Sequence, residues 1–597
     1  MDYYRRRKTL PVLKTDEEIE QETHSSSPPN TTGSPPSSGA SSANNPSSPC
    51  PSPSSSTTPT SRTIAAADQS DSQHWLQLSP DIADEDDTSY MTRHALGFDV
   101  PGAVHSVRTP KLRNEKQPDS KLVIIMVGLP ARGKSYIVKK LRRYLNWLQY
   151  ETKVFNVGNL RRINEASQKQ DQSAKFFDPD NKDMKKIRDT LALEVLEQLL
   201  DWLRHDGRVA IHDATNSTID RRKLLLDRLQ LEPQVKVLLL ESVCTDKNVL
   251  ERNFRLKLLG PDYQNKDPAE ALADFRSRVA NYERAYEPVG EWEEEHDIQY
   301  CKLINVGKKV IANNISGYLS GQCVFYLMNF NLEERQIFLT RHGESMDNLS
   351  GRIGGDAPLS PKGRKFARAL ARFIREQRVK FALDLVERKR EQEEEWQSYG
   401  LEPLDTADDV TKVRNGTKTP HEIAHAKTSK SQFTVWTSML KRAVESVQHF
   451  DPDEYDIKHI RFLNEINAAT CEGMTYEQIK TKYPREFSAR NKNKLYYRYP
   501  GIGGESYVDV IHRMQSMIIE LERMSQSCLI ITHRVVMRIL LGYLLDWSRI
   551  DMPHMDVPIH TVFEIRPKPY GSELKIWKYN DEADTFEEMQ DALTPTA

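Results

Sequence analysis

The chain has 597 residues, with 84 Lys and Arg against 86 Asp and Glu, a net charge of −2. That balance offers no basic excess for nucleic acid or a membrane surface. Six cysteines without a CxxC pair argue against a disulfide framework or a cysteine-based zinc site.

The first residues are basic (Arg5, Arg6, Arg7, Lys8) but no apolar run follows, so no secretory leader is predicted. Leu122–Val127, among the longest apolar runs, is far short of the ~20 residues of a membrane span. These features predict a reducing, cytoplasmic location. Length alone predicts roughly four domains at ~150 residues each. The 38% hydrophobic content is low for that, so part of the chain is expected to stay outside any core. Between Ser25 and Arg62, 29 of 38 residues are Ser, Thr or Pro, too few apolar groups to offset the entropy of ordering. Residues 1–92 are therefore read as a disordered arm. Its Ser-Pro pairs (Ser27-Pro28, Ser34-Pro35, Ser48-Pro49, Ser52-Pro53) make it a candidate regulatory substrate of protein kinases.

Order is predicted from about Lys111. Lys121–Val127 (KLVIIMV) reads as a parallel strand buried on both faces. Gly128–Tyr136 (GLPARGKSY) follows, then the amphipathic helix pattern YIVKKLRRYLNWL. Gly128-x-x-x-x-Gly133-Lys134-Ser135 matches the P-loop pattern in the strand-to-helix context its mechanism requires. Inward-turned backbone N–H groups and a helix N-terminus would cradle phosphates. Lys134 would reach the β/γ-phosphates and Ser135 would hold Mg²⁺. A helix is predicted over Met184–Arg204, with strands at Arg208–His212 and Val235–Leu240. Asp213, at the end of VAIHD, suits a Mg²⁺ ligand or a base for an attacking hydroxyl, with a helix cap as the plain alternative. Arg161, Arg162, Arg188, Arg221, Arg222, Lys257, Arg276 and Arg278 supply cations for a phosphorylated acceptor, and composition does not choose among them.

A second α/β system opens at Gln336–Thr340 and recurs at Phe433–Trp436 and Cys528–Thr532. Between its first two strands, about 386–431, a Glu/Lys/Arg/Thr/Asn-rich stretch is read as a surface insertion that begins as a helix. His342, between Arg341 and Gly343 at a strand end, suits a phosphoryl-accepting nucleophile beside an anion clamp. His533 follows another strand. With Arg341 and Arg442 the two imidazoles would enclose one phosphoryl group, and Glu465 would protonate the leaving alkoxide.

The order of these landmarks resembles the bifunctional 6-phosphofructo-2-kinase/fructose-2,6-bisphosphatase family. GLPARGKSY, FNVGNLRR, HDATNST, ESVCTD, GPDY, LTRHGESMDN, GRIGGD, VWTS, NEI, MTYEQI, YRYP and GESY carry it from about residue 120 to 575. The resemblance implies an α/β P-loop mononucleotide-binding domain followed by a histidine phosphatase (phosphoglycerate-mutase-like) α/β domain. It divides the chain into a kinase domain at 93–335, a phosphatase domain at 336–575 and a tail at 576–597. It implies transfer of the ATP γ-phosphoryl, with Mg²⁺, to the 2-hydroxyl of fructose 6-phosphate, and hydrolysis of the product through a phosphohistidine.

By motif, the resemblance assigns ATP to Gly128, Leu129, Pro130, Ala131, Arg132, Gly133, Lys134, Ser135 and Tyr136. Asp213 and Cys244 become active-site residues. Arg161, Arg162, Arg188, Thr215, Lys257, Arg278 and Tyr282 become fructose 6-phosphate contacts. In the second domain His342 becomes the phosphohistidine, and Arg341, Asn348, Arg352, Arg442 and His533 surround the phosphate, with Glu465 as proton donor. Tyr476, Arg490, Lys494, Tyr507 and Arg538 take the sugar phosphate. A homodimer is implied. Departures are Asn467 for the usual Asp, Gly473 for Glu, Arg534 for Gln, and added residues before Glu505. They open an alternative in which the second domain is a silent regulatory module.

Overall fold

The computed structural model describes residues 121–589, apart from 169–173, 206, 259–261, 264–266, 330, 399–418, 431–432 and 569–570. The expected N-terminal arm and its Ser-Pro pairs lie outside the described residues.

The first half is built on a six-stranded sheet ordered β2-β3-β1-β4-β5-β6. Its strands are β1 (Lys121–Val127), β2 (Thr152–Asn156), β3 (Val209–Asp213), β4 (Val235–Val243), β5 (Tyr300–Ile304) and β6 (Lys309–Asn313). All pairings are parallel except the β5–β6 edge. β1 is central and covered on both faces, which is why six of its seven side chains are buried and apolar. The Lys134–Trp147 helix leaves the P-loop and buries Leu141, Tyr144 and Leu145. The helix expected at Met184–Arg204 spans Lys182–His205.

The second half holds a seven-stranded sheet ordered β13-β12-β11-β7-β10-β8-β9. Its parallel part comprises β7 (Ile337–Arg341), β8 (Phe433–Thr437), β9 (Tyr455–His459) and β10 (Cys528–Thr532). β11 (Thr561–Lys568), β12 (Gly571–Asn580) and β13 (Thr585–Glu588) extend it antiparallel. The boundary expected at 575 is thus corrected: it falls inside β12, and Tyr579, 6% exposed, still packs in the core.

The segment expected as a surface insertion departs from that reading at its start. The helix entering it is continuous over Pro361–Ser398, and at its far end Trp396 is only 8% exposed. A second helix, Pro420–Lys430, buries Ile423 and Ala424.

One apolar cluster runs through both halves. Leu141, Tyr144 and Leu145 of the P-loop helix share it with Ile518, Leu540 and Tyr543 of the second half. Inside this apolar contact lies a polar knot. The Glu522 carboxylate accepts from Lys140 Nζ at 2.7 Å, Arg143 Nη2 at 2.8 Å and the Tyr543 hydroxyl at 2.5 Å. Among the described residues no helix is long and apolar enough to cross a membrane.

Candidate active sites

Parallel strands deliver their following residues to one edge of a sheet, where ligands bind. β1 delivers the P-loop, β3 ends in Asp213, and β4 carries Ser242. Together they open onto a cavity of about 1130 Å³. Gly128 (φ 132°) sits so close to β4 that a Cβ would lie 2.5 Å from the Ser242 carbonyl oxygen, so glycine is required there. Its N–H donates to the Thr215 carbonyl at 2.9 Å, tying the P-loop to the DATN turn.

Lys134 Nζ donates to the carbonyls of Gly128 (2.7 Å) and Leu129 (2.6 Å). Burial lowers its pKa to about 7, with Asp213 opposing. Burial raises the Asp213 carboxyl while Lys134 and the Asn156 amide, which donates to it at 2.5 Å, pull it back. A buried amine and acid facing each other at a P-loop is a device for holding phosphate and moving a proton.

Arg161, Arg162 and Arg278 converge on one carboxylate, Asp262, at 2.9, 3.2 and 3.1 Å. The three guanidiniums hold that carboxyl well below the usual range against its own burial. One anion among three cations leaves room for another. Arg132 Nη1, Arg161 Nε and Arg278 Nε are buried without hydrogen-bond partners. Arg188 donates to the Phe176 carbonyl, and Lys257, Thr215 and Tyr282 line the same cavity. Other cations from the sequence serve the scaffold. Arg222 pairs with Glu293 at 2.6 Å, both fully buried, and Arg276 pairs with Glu251. Cys244 is 4% exposed and off the cavity wall, and burial raises its thiol, so it is no ready nucleophile.

In the second sheet, β7 and β10 are neighbours, as are β10 and β8. Their following residues, His342, His533 and Ser438, therefore meet. The His342 and His533 rings lie 5.0 Å apart. His342 Nδ1 is 2.7 Å from the Gly343 carbonyl, and Arg442 Nε donates to His342 Nε2 at 3.1 Å. Both bonds require the tautomer with the proton on Nδ1 and the lone pair on Nε2. Burial first, then Arg442 and Arg341, keeps this imidazole neutral, its pKa well below the ordinary value. His533 Nε2 is 2.7 Å from Ser438 Oγ. His533 Nδ1 and Arg341 Nε are buried without partners, polar atoms that a phosphoryl oxygen would satisfy. Burial and the neighbouring Arg534 work against the charge on Arg341, a load that a dianion relieves.

Glu465 accepts from the backbone N–H groups of Ile466 (2.9 Å) and Val535 (3.2 Å), beside the helix that His533 opens. Arg513 fixes this loop by donating to the Asn464 carbonyl at 2.7 Å and to Glu505 at 2.8 Å. Asn467 stays inside that arrangement, its N–H donating to Glu505 at 2.9 Å, so this departure leaves the loop assembled. Arg490 donates to the hydroxyls of Tyr476 (3.1 Å) and Tyr499 (3.0 Å), and Arg538 to that of Tyr507 (3.1 Å). Lys494 is buried. Asn348 and Arg352 are exposed, and Asn348 Oδ1 caps its own short helix through Ser345.

Sequence reasoning missed Ser438 and Ser446 as site residues. Ser446 Oγ accepts from the Gly343 N–H at 3.0 Å and so fixes the loop that carries His342. It missed His560, whose Nε2 accepts from the Glu344 N–H at 3.0 Å. The VWTS landmark contains Ser438, but only the strand order brings it to His533.

Comparison with known proteins agrees with this two-site architecture. The 6-phosphofructo-2-kinase family model matches residues 110–334. The histidine phosphatase superfamily (branch 1) model matches 337–386 and 414–580. A Schizosaccharomyces pombe protein named "Probable 6-phosphofructo-2-kinase" is 47% identical over 484 residues, which are 80% of this chain and 72% of that one. The 6-phosphofructo-2-kinase 1 of Saccharomyces cerevisiae is 46% identical over 506 residues, 84% of this chain but only 57% of the yeast protein. The human 6-phosphofructo-2-kinase/fructose-2,6-bisphosphatase 3 is 38% identical over 469 residues, 78% of each chain. The chain belongs to the 6-phosphofructo-2-kinase/fructose-2,6-bisphosphatase family.

Proposed function

We propose that this chain both makes and hydrolyses fructose 2,6-bisphosphate, using ATP for the synthesis. The observation that carries the reading is the pair of clusters in which buried polar atoms lack partners. One, with Arg161 Nε and Arg278 Nε, lines the cavity beside Lys134, and the other, with Arg341 Nε and His533 Nδ1, surrounds His342.

In the kinase site the triphosphate takes the P-loop and Lys134 leaves its two carbonyls for it. Arg161, Arg162 and Arg278 exchange Asp262 for the sugar 6-phosphate, with Arg188, Lys257, Thr215 and Tyr282 around the ring. The sugar 2-hydroxyl oxygen attacks the γ-phosphorus, the bond to the ADP oxygen breaks, and Asp213 takes the hydroxyl proton. Its raised pKa supports that role. Mg²⁺, if bound with the nucleotide, would supply positive charge against the phosphates. Ser135 and the buried Asp213 carboxylate, both on the cavity wall, are the oxygens that fit it.

In the phosphatase site His342 Nε2 attacks the 2-phosphoryl phosphorus and the P–O bond to the sugar breaks. Glu465 gives its proton to the leaving alkoxide, then takes one from the water that cleaves the N–P bond. Arg341, Arg442 and His533 neutralise the equatorial oxygens. The sugar phosphate falls to Tyr476, Arg490, Lys494, Tyr507 and Arg538. We assign the kinase to 93–335 and the phosphatase from 336 onward. A homodimer, a cytoplasmic location and an arm addressed by protein kinases complete the proposal.

Purified protein with ATP, Mg²⁺ and fructose 6-phosphate is expected to form acid-labile fructose 2,6-bisphosphate, and Lys134→Met to abolish it. With 2-³²P-labelled product, His342→Ala is expected to lose the phosphoenzyme and keep the kinase. Synthesis unchanged in Lys134→Met, or a phosphoenzyme surviving in His342→Ala, would overturn the corresponding half.

A further inference from the structure

The kinase cavity has a wall that its own domain does not supply. Leu385, Arg388, Lys389, Gln392, Glu393 and Trp396 all line it. Their spacing is that of a single helix face, and the helix is Pro361–Ser398 of the phosphatase half. Its 38 residues reach about 57 Å. At one end it borders the catalytic loop of that half, where a Cβ on Gly343 would lie 2.6 Å from the Gly363 carbonyl oxygen. At the other end Trp396 is 8% exposed and shares an apolar cluster with Ala131 of the P-loop, Leu258 and Phe275. The Arg255 guanidinium lies 5.6 Å from its ring centre. Ala131 is held in turn by Asn253, whose amide donates to its carbonyl at 2.9 Å. The helix is pinned along the way by Arg388, which pairs with Glu334 at the end of the kinase half at 2.7 Å. Apart from Leu385, the wall falls in residues 387–413, between the two matched parts of the histidine phosphatase model.

The cavity divides by chemistry. Arg161, Arg188 and Arg278 take the sugar phosphate, and Lys134 takes the triphosphate. The rest of the lining includes Val249, Asn253, Val306, Leu332 and the helix face. Apolar side chains, the amides of Asn253 and Gln392, and charges of both signs on Arg388, Lys389 and Glu393 fit a nucleoside better than a second anion.

We propose that the helical start of the insertion, residues 387–398, is the outer wall of the nucleotide end of the kinase site. Lys389 and Trp396 set its affinity for ATP: Lys389 faces the nucleotide at the cavity mouth, and Trp396 holds the wall against the P-loop. Trp396 is a positioning residue. The inference rests on the ATP-dependent kinase reading above.

The test is steady-state kinase kinetics of the full chain, with ATP varied at saturating fructose 6-phosphate and the reverse. Trp396→Ala and, separately, Lys389→Ala are expected to raise the KM for ATP about three- to tenfold, the range of one lost stacking or charge contact. The KM for fructose 6-phosphate and kcat should stay within about twofold, and Trp396→Phe should restore most of the ATP affinity. Lys389 is exposed, so its variant is expected to fold whatever Trp396→Ala does. Unchanged KM for ATP in Lys389→Ala together with an unchanged value in folded Trp396→Ala overturns the proposal, as does an effect confined to fructose 6-phosphate. Lys134→Met in the same assay separates the two failures, because activity surviving there sinks the kinase reading itself.

Discussion

Replacing Glu522 by Gln probes the contact that joins the two halves. Its carboxylate takes three donors from both sides of the interface: Lys140 and Arg143 from the P-loop helix, and Tyr543. Burial would raise its pKa, but Lys140 and Arg143 overcome that and hold it at about 2 rather than 4.5. The difference corresponds to roughly 3 kcal/mol. Because the folded value is depressed, this stabilisation is complete above pH 4.5 and is lost as pH falls toward 2. The pair also has a cost, since burial brings Lys140 down to about 8 even beside Glu522. Removing one partner leaves two buried cations facing an amide, so Glu522→Gln should cost about 3–5 kcal/mol. At about 2 °C per kcal/mol for a chain of this size, the melting temperature should fall by ~6–10 °C. Replacing Lys140 as well, as Lys140→Met/Glu522→Leu, removes one of the two buried cations with the carboxylate but leaves Arg143 without its partner, so it should recover only part of the loss. The assay is thermal unfolding at pH 7.5 followed by both activities. A Glu522→Gln chain that melts within about 1 °C of wild type, or a double variant no better than the single, would refute the argument that ionic pairing decides this contact.

Three further outcomes follow from the two sites. Burial and the neighbouring Arg442 and Arg341 keep His342 neutral, so phosphoenzyme formation should not slow between pH 7 and pH 6, where an ordinary imidazole would lose its lone pair; rapid-quench labelling measures it. Ser438→Ala removes the hydroxyl 2.7 Å from His533 Nε2 and should lower the phosphatase kcat about 10- to 100-fold with little change in KM, while the kinase is untouched. Gly128→Ala drives a Cβ to 2.5 Å from the Ser242 carbonyl oxygen at φ 132° and should abolish the kinase, read as product formation at saturating ATP.

Strands covered on both faces were legible because their sequence is unbroken apolar chain. β1 matches KLVIIMV and β10 matches CLIIT residue for residue. β12 and β13 were not legible in the same way, because most of their positions are exposed or half-buried and GSELKIWKYN carries no unbroken apolar run, so the expected tail began inside β12. The catalytic histidines could be read from their place after strands. The groups that orient them could not, since Ser446 and His560 meet the His342 loop only through folding across 103 and 216 positions. Arg222 misled as an acceptor cation because nothing local reveals its fully buried partner Glu293. Trp396 was hidden by its setting, a run of Glu, Lys, Arg and Gln that looks like a solvated helix and whose apolar partners lie in the other half of the chain.

The apolar cluster shared by the P-loop helix and the second half has a consequence for the balance of opposing activities. A lesion anywhere in that cluster lowers the amount of folded chain, and both sites are lost together in equal number. Abundance therefore sets the total catalytic capacity and cancels out of the ratio between synthesis and breakdown. That ratio is left to changes within the sites themselves, or in a part that touches only one of them.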